Sequence, residues 1–199
     1  MNAIPSQLPP PANLAVAYTP VAFRAAFTLL LQLDMRFADI VRKAREPMIA
    51  QIKLAWWRDA FVAEPALRPK GEPLLQAVGT CGDVISPSAL EDVVSAWELL
   101  LGEDAWAAQD VEAHAALRGD AIFGSYAAWI GEGCDVSALS RQWARDALRL
   151  EFPSKLVALR NQPLPVLPKG RKLRPLSILA MSVRNVSGPR LIGHAFTGW

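Results

Sequence analysis

Two cysteines in 199 residues, Cys81 and Cys134, stand far apart and outside any Cys-x-x-Cys spacing, which gives no basis for a disulfide framework or a zinc site. Histidine is equally scarce. His114 and His194 lack the Ser-His-Asp or His-x-x-x-His company that a hydrolytic triad or a histidine metal site requires. No apolar run reaches the ~18–20 residues of a membrane-spanning helix; the strongest, Ala25 to Leu33, is interrupted by Thr28 and Gln32. The opening MNAIPSQLPPPANLAVAYTP has neither the charged start nor the continuous apolar core of a signal peptide, and its prolines predict a flexible N-terminal arm over residues 1–20. A reducing cytoplasm is the expected location, and any membrane would be met peripherally, at its inner face. Gly119-Asp120 and Gly131-Glu132-Gly133 lack the strand-turn-helix setting of a phosphate loop, so they read as turns or close helix contacts.

Strand-like alternation is also missing, and helical spacing takes its place. Phe23, Phe27, Leu30, Asp34, Phe37 and Val41 recur at alternating intervals of four and three, predicting a helix from about Val21 to Ala44 with an acid on its apolar stripe. Pro47 suits the first position of a second helix, whose apolar face is expected to include Met48, Ile52, Ala55 and Trp56 and which should end near Glu64-Pro65. Ser86 before Pro87 forms an N-cap for a helix carrying Leu90, Val93, Val94, Trp97 and Leu101. A longer pattern runs from about Asp104 to Ile130, and Ser137 is expected to cap the helix that presents Leu139, Trp143, Ala147 and Leu150. Four prolines make residues 161–175 a linker or laid-down loop before a last helix from about Leu176 to Val186. An all-α, single-domain helical bundle over residues 21–199 follows.

The net charge of +2 conceals an uneven distribution: residues 151–199 hold eight bases and one acid, whereas the preceding 150 hold thirteen bases and eighteen acids. Lys169, Arg171, Lys172 and Arg174 lie within six residues without an acid, a pattern that can form an anionic docking surface for a membrane or an acidic protein partner, or simply a solvated tail. No aromatic residues are interleaved with these bases, so no nucleic-acid partner is expected. Seven tryptophans suggest broad apolar packing surfaces or a lipid-shaped cavity.

The stretch Val21 to Phe61, with Trp56-Trp57-Arg58-Asp59 near its end, resembles the first helices of the squalene/phytoene synthase family. In that family an Asp-Asp-x-x-Asp motif stands on the first long helix and a Trp-Arg-Asp-type segment follows. Alignment over Leu31 to Arg42 puts Ala38 and Arg42 at the outer two aspartate positions and leaves only Asp39 as an acid. Carboxylates at i and i+4 project from one helical face and can share Mg²⁺ ions that bridge to a diphosphate. Alanine and arginine cannot. Further on, Gly124-Ser-Tyr-Ala-Ala-Trp-Ile-Gly131 resembles the helix before the second aspartate motif, yet in Gln142-Trp-Ala-Arg-Asp-Ala-Leu-Arg-Leu150 the acid Asp146 has Leu150 four residues later.

The resemblance covers roughly residues 21–185 and implies a shortened bundle of the isoprenoid-synthase type, without catalytic or metal-binding residues. It implies a non-catalytic isoprenoid- or lipid-binding protein, or one of the assembly type, similar to the respiratory complex I assembly factor of the superfamily. No cofactor is implied, Mg²⁺ entering only with the alternative, an active prenyl transferase that condenses two prenyl diphosphates head to head. On a cavity of that kind Asp34 would be a displaced polar group at the mouth, or be paired with a base from another helix. Arg36 and Arg45 would hold a diphosphate without metal, or form an exposed basic face. Tyr126, Trp129 and Trp143 would line a prenyl or other lipid site, or pack between helices. Asp39 has Arg42 and Lys43 in reach at i+3 and i+4 as ion-pair partners.

Overall fold

A computed structural model describes residues 8–81, 84–102, 104–131, 133–156, 162–184 and 193–194. Helix is the only regular structure among them. The chain begins with α1 (Pro10–Tyr18), with proline at its first turn. The expectation of a loose arm over residues 1–20 therefore fails for this stretch, because Leu8, Ala12 and Ala15 are buried in an apolar cluster with Leu176, Ile178 and Leu179. Arg24 closes the end of α1 by donating to the carbonyls of Thr19 and Ala17 at 2.8 and 3.0 Å. Those C-terminal carbonyls would otherwise lack helical partners.

Helix α2 (Val21–Lys43) is the long helix expected from the spacing, about 35 Å at 1.5 Å per residue. It is the shared spine of the molecule. Its Leu29, Leu30, Leu33 and Phe37 enter one apolar cluster with α3 (Pro47–Val62), α4 (Pro73–Cys81) and α5 (Pro87–Glu98). Its Phe27 and Leu31 enter a second cluster, shared with residues of α1 and of the helices that follow. The Ser86 cap of α5 holds as expected, its hydroxyl accepting from the Ala89 amide at 3.2 Å.

Helix α3 departs from its expected face. Ala50, Leu54, Trp57, Ala60 and Phe61 are the buried residues, while Met48, Ile52 and Trp56 lie on the outside. Both sets have helical spacing, so periodicity alone does not select between them.

Next come α6 (Ala108–Gly119), a π-turn (Asp120–Gly124) and α7 (Ser125–Ile130), one continuous rod that starts four residues after the expected position and ends at Gly131 with φ +66°. Gly131 stands in the left-handed region that glycine adopts without a Cβ penalty. Just before the π-turn, Gly119 lets α6 approach α8 (Ser137–Glu151): a Cβ there would lie 2.6 Å from Ser140 Oγ and 2.9 Å from its Cβ. This is the close helix contact read from the sequence, at one of the two glycine sites named. The cap of α8 differs from expectation, since Ser137 is already helical and Asp135 accepts from its amide at 2.9 Å. Residues 162–169 run without regular structure, and α9 (Arg174–Ser182) begins slightly earlier than predicted. Among the described residues no helix is long and apolar enough to cross a membrane.

Candidate functional site

The acid on the apolar stripe of α2 is the centre of the molecule. Asp34 is 3% exposed, and burial of a lone carboxylate is strongly unfavourable, so its surroundings must supply positive charge and donors. Arg118 of α6 does so with Nε at 2.8 Å from Oδ1 and Nη2 at 2.7 Å from Oδ2, a two-pronged pair that matches guanidinium to carboxylate. Trp97 of α5 adds a third donor, its indole Nε1 lying 2.9 Å from Oδ1. Both oxygens of Asp34 are thus occupied from within the fold.

Arg118 is held as tightly as its partner. Its guanidinium lies between the rings of Trp97 and Trp143, 4.9 and 4.7 Å from their centroids, where the aromatic faces favour a cation. Nη2 also reaches Glu151 of α8 at 3.2 Å, while Nη1 is buried without a hydrogen-bond partner among the described residues. Burial alone would make the guanidinium easier to deprotonate, but the carboxylates of Asp34 and Glu151 outweigh that and raise its pKa above the usual value. The Glu151 carboxyl is raised by burial, with Asp34 adding to the rise and Arg118 opposing it. His114, one turn before Arg118, is fully buried edge-on to Trp97 at 4.8 Å. Its Nδ1 lies 2.8 Å from the Ala96 carbonyl; since a carbonyl only accepts, Nδ1 carries the proton. Burial first, and the Arg118 charge second, push its pKa down to about 3.

Above this centre opens a cleft of about 360 Å³. Leu31, Met35, Ala38, Trp143, Ala147 and Leu179 give it an apolar wall, while Asp34, Arg118 and Glu151 form a polar end. Ala38 and Arg42, which the sequence resemblance aligns with two aspartates, both line it. Asp39 stands at its rim and forms ion pairs with Arg42 at 2.7 Å and with Lys43, as expected from their spacing.

The remaining sequence candidates do not converge here. Trp143 does line the cleft. Tyr126 is buried against Phe27 at 4.8 Å and donates to the Lys172 carbonyl at 2.7 Å, and Trp129 stacks with Phe23 at 6.0 Å, so both pack between helices instead. Arg36 lies 3.6 Å from Glu72 beside a different groove. Arg45 lines a third depression with Pro47 and Ala50. Of the C-terminal basic cluster, Lys169, Arg171 and Lys172 are exposed and Arg174 is half-buried at the start of α9.

Asp146, on the α8 segment compared with a second aspartate motif in the sequence, is 3% exposed and occupied as well. Gln142 and Arg149 donate to its Oδ1 at 3.0 and 2.8 Å, and Arg184 holds Oδ2. Sequence reasoning missed Arg118, Trp97, Glu151 and Arg184 as partners. The available signal was Arg118 itself, a base four residues beyond His114 and three beyond Ala115 on the buried face of α6, able to answer an acid on the buried stripe of α2. Among the described residues no three His, Cys, Asp or Glu side chains gather in a group that could hold a metal ion. No family model, curated protein or solved structure matches this chain.

Proposed function

We propose that this chain is a squalene/phytoene synthase-like protein of the isoprenoid-synthase type that does not catalyse prenyl transfer, and that its cleft receives an isoprenoid or other lipid with an uncharged polar head. One observation carries the proposal. At each acid that corresponds to the family's metal-binding regions, or lies one turn from them, a base occupies the carboxylate: Arg118 at Asp34, Arg42 and Lys43 at Asp39, Arg149 and Arg184 at Asp146. A diphosphate enzyme needs such oxygens turned toward Mg²⁺, where they help disperse the charge of the leaving group.

Charge at the cleft supports the same reading. Asp34, Asp39 and Glu151 outnumber Arg42 and Arg118 on its lining, which disfavours an anionic head and suits a hydroxyl or carbonyl that accepts from a guanidinium N–H. The apolar wall and the volume fall in the range of small-ligand sites. A non-catalytic lipid-binding role calls for a cleft of this chemistry without turnover.

The test is binding of farnesol and farnesyl diphosphate, with and without Mg²⁺, followed by calorimetry. Farnesol should bind, the diphosphate should bind at least tenfold more weakly, and Mg²⁺ should not reverse the order. Trp143→Ala, which opens the cleft wall, should lower farnesol affinity severalfold. Steady production of squalene, phytoene or a cyclopropyl diphosphate by the purified protein would overturn the proposal in favour of the transferase.

A further inference from the structure

The outward face of α3 has no partner within the chain. Met48, Ile49, Ile52 and Trp56 are 67, 41, 63 and 41% exposed and follow one another at helical intervals, giving an apolar stripe along one side of the helix. Four such residues along one helix differ from the singly scattered apolar side chains of an ordinary surface. From Arg42 to the end of α3 at Val62 the chain holds five bases and two acids, so the stripe lies in net basic surroundings. Arg42 and Lys43 share Asp39, and Arg58 pairs with Glu98, but Arg45 and Lys53 have no ion-pair partner among the described residues. Beside Ile52 and Trp56 runs a groove of about 560 Å³ whose lining holds Arg36 and Lys43, paired with Glu72 and Asp39, and Lys53.

We propose that this face of α3 is a membrane-docking surface for anionic phospholipid. A helix that is apolar on one side with Lys and Arg at its margins lies in the interfacial plane of a bilayer, its apolar side chains among the upper acyl carbons and its bases at the phosphates. Trp56 suits the boundary, since an indole combines an apolar ring with one polar N–H at headgroup depth. The groove offers room for a headgroup beside Lys53. Charge argues against a second copy as the occupant: a two-fold contact through this face would oppose Arg45 and Lys53 to a second basic margin. The surface is separate from the basic cluster at Lys169–Arg174 and does not depend on what the cleft binds.

The experiment is co-sedimentation with vesicles of phosphatidylcholine alone and of phosphatidylcholine mixed with phosphatidylglycerol, at low and high salt. The wild type should bind the mixed vesicles, release with salt as screening shortens the range of attraction, and leave the neutral vesicles unbound. Met48→Ser/Ile52→Ser changes two well-exposed side chains and should retain the wild-type circular dichroism while losing at least tenfold in partitioning. Arg45→Gln/Lys53→Gln should weaken binding by about fivefold for each base removed. Undiminished binding by both double variants would overturn the proposal. So would loss of binding only on changing Lys169, Arg171, Lys172 and Arg174 to glutamine. A wild-type dimer that Met48→Ser/Ile52→Ser converts to monomer would also overturn it, assigning the face to a second copy.

Discussion

Two buried aspartates, Asp34 on α2 and Asp146 on α8, are equally inaccessible at 3% exposure, yet their counter-charges differ in insulation. The side chain of Arg118 at Asp34 is 2% exposed, whereas those of Arg149 and Arg184 at Asp146 are 32 and 21% exposed. At the first centre both partners are almost wholly buried, touching the cleft only by their edges; at the second the cations are partly exposed to water. The same ion-pair chemistry therefore does two different things. Inside, it fixes how α2, α5, α6 and α8 meet, because Asp34, Trp97, Arg118 and Glu151 each come from a different one of them. Outside, it ties α8 to the end of α9 and, through Arg184 Nη2 to the Gln162 carbonyl at 2.7 Å, to the irregular stretch before α9.

The largest expected effect comes from breaking the insulated pair. Arg118→Met should cost about 3–5 kcal/mol, since it leaves a carboxylate uncompensated in the core, and a domain stable by only ~5–15 kcal/mol would lose much of its folding free energy. Equilibrium urea unfolding measures this. The double variant Asp34→Leu/Arg118→Met should recover most of the loss, because an apolar replacement of both charges removes the desolvation penalty as well as the attraction. A cost for Arg118→Met no larger than that of a surface substitution would erase the distinction between the centres.

A smaller effect, confined to the insulated centre, is acid sensitivity. His114 is held to a pKa of about 3 in the fold, while the unfolded chain takes up the proton near 6.5. Unfolding then gains a proton between these values, so the stability contribution is complete above pH 6.5 and is lost as the pH falls toward 3, at no more than about 1.4 kcal/mol per pH unit. Glu151 works in the opposite sense: its carboxyl is raised, so its contribution is present in acid and lost as the pH climbs through the raised value. His114→Gln removes the first while keeping a donor for the Ala96 carbonyl. Urea unfolding from pH 7 to pH 4 should show a flatter curve for the variant. Parallel curves would mean that the centre does not sense protons through His114.

Much of the fold was legible because α2, α5 and the α6–α7 rod carry apolar residues on one face and recognisable punctuation at their ends. Asp34 was legible as an acid in need of a base, and Asp39 as a partner of Arg42 and Lys43, since both inferences need only helical geometry. Arg118 was not found, because its pairing spans 84 residues and no local pattern links the two. Met48, Ile52 and Trp56 misled for a different reason: a helix with apolar residues on two faces has two periodic solutions, and only packing against α2 and α5 decides which is inside. Tyr126 and Trp129 were legible as aromatic and buried or half-buried, but the choice between cavity wall and helix contact lies in tertiary distances that spacing does not encode.

The smallest effect belongs to the water-reached centre, and it tests the comparison most directly. Arg184→Gln removes one cation from Asp146 but leaves Gln142 and Arg149 on Oδ1, so the carboxylate is never wholly abandoned. Because the Arg184 side chain is partly exposed, solvent replaces part of the lost attraction, and the expected cost is about 1 kcal/mol. Screening should reduce that cost further in high salt, whereas the cost of Arg118→Met, arising between two almost wholly buried groups, should change less. Measuring both variants by urea unfolding at two salt concentrations separates the cases. If Arg184→Gln were as damaging as Arg118→Met and equally indifferent to salt, accessibility of the cation would not be what distinguishes the two aspartates, and Asp146 would have to be counted as a second insulated anchor of the bundle.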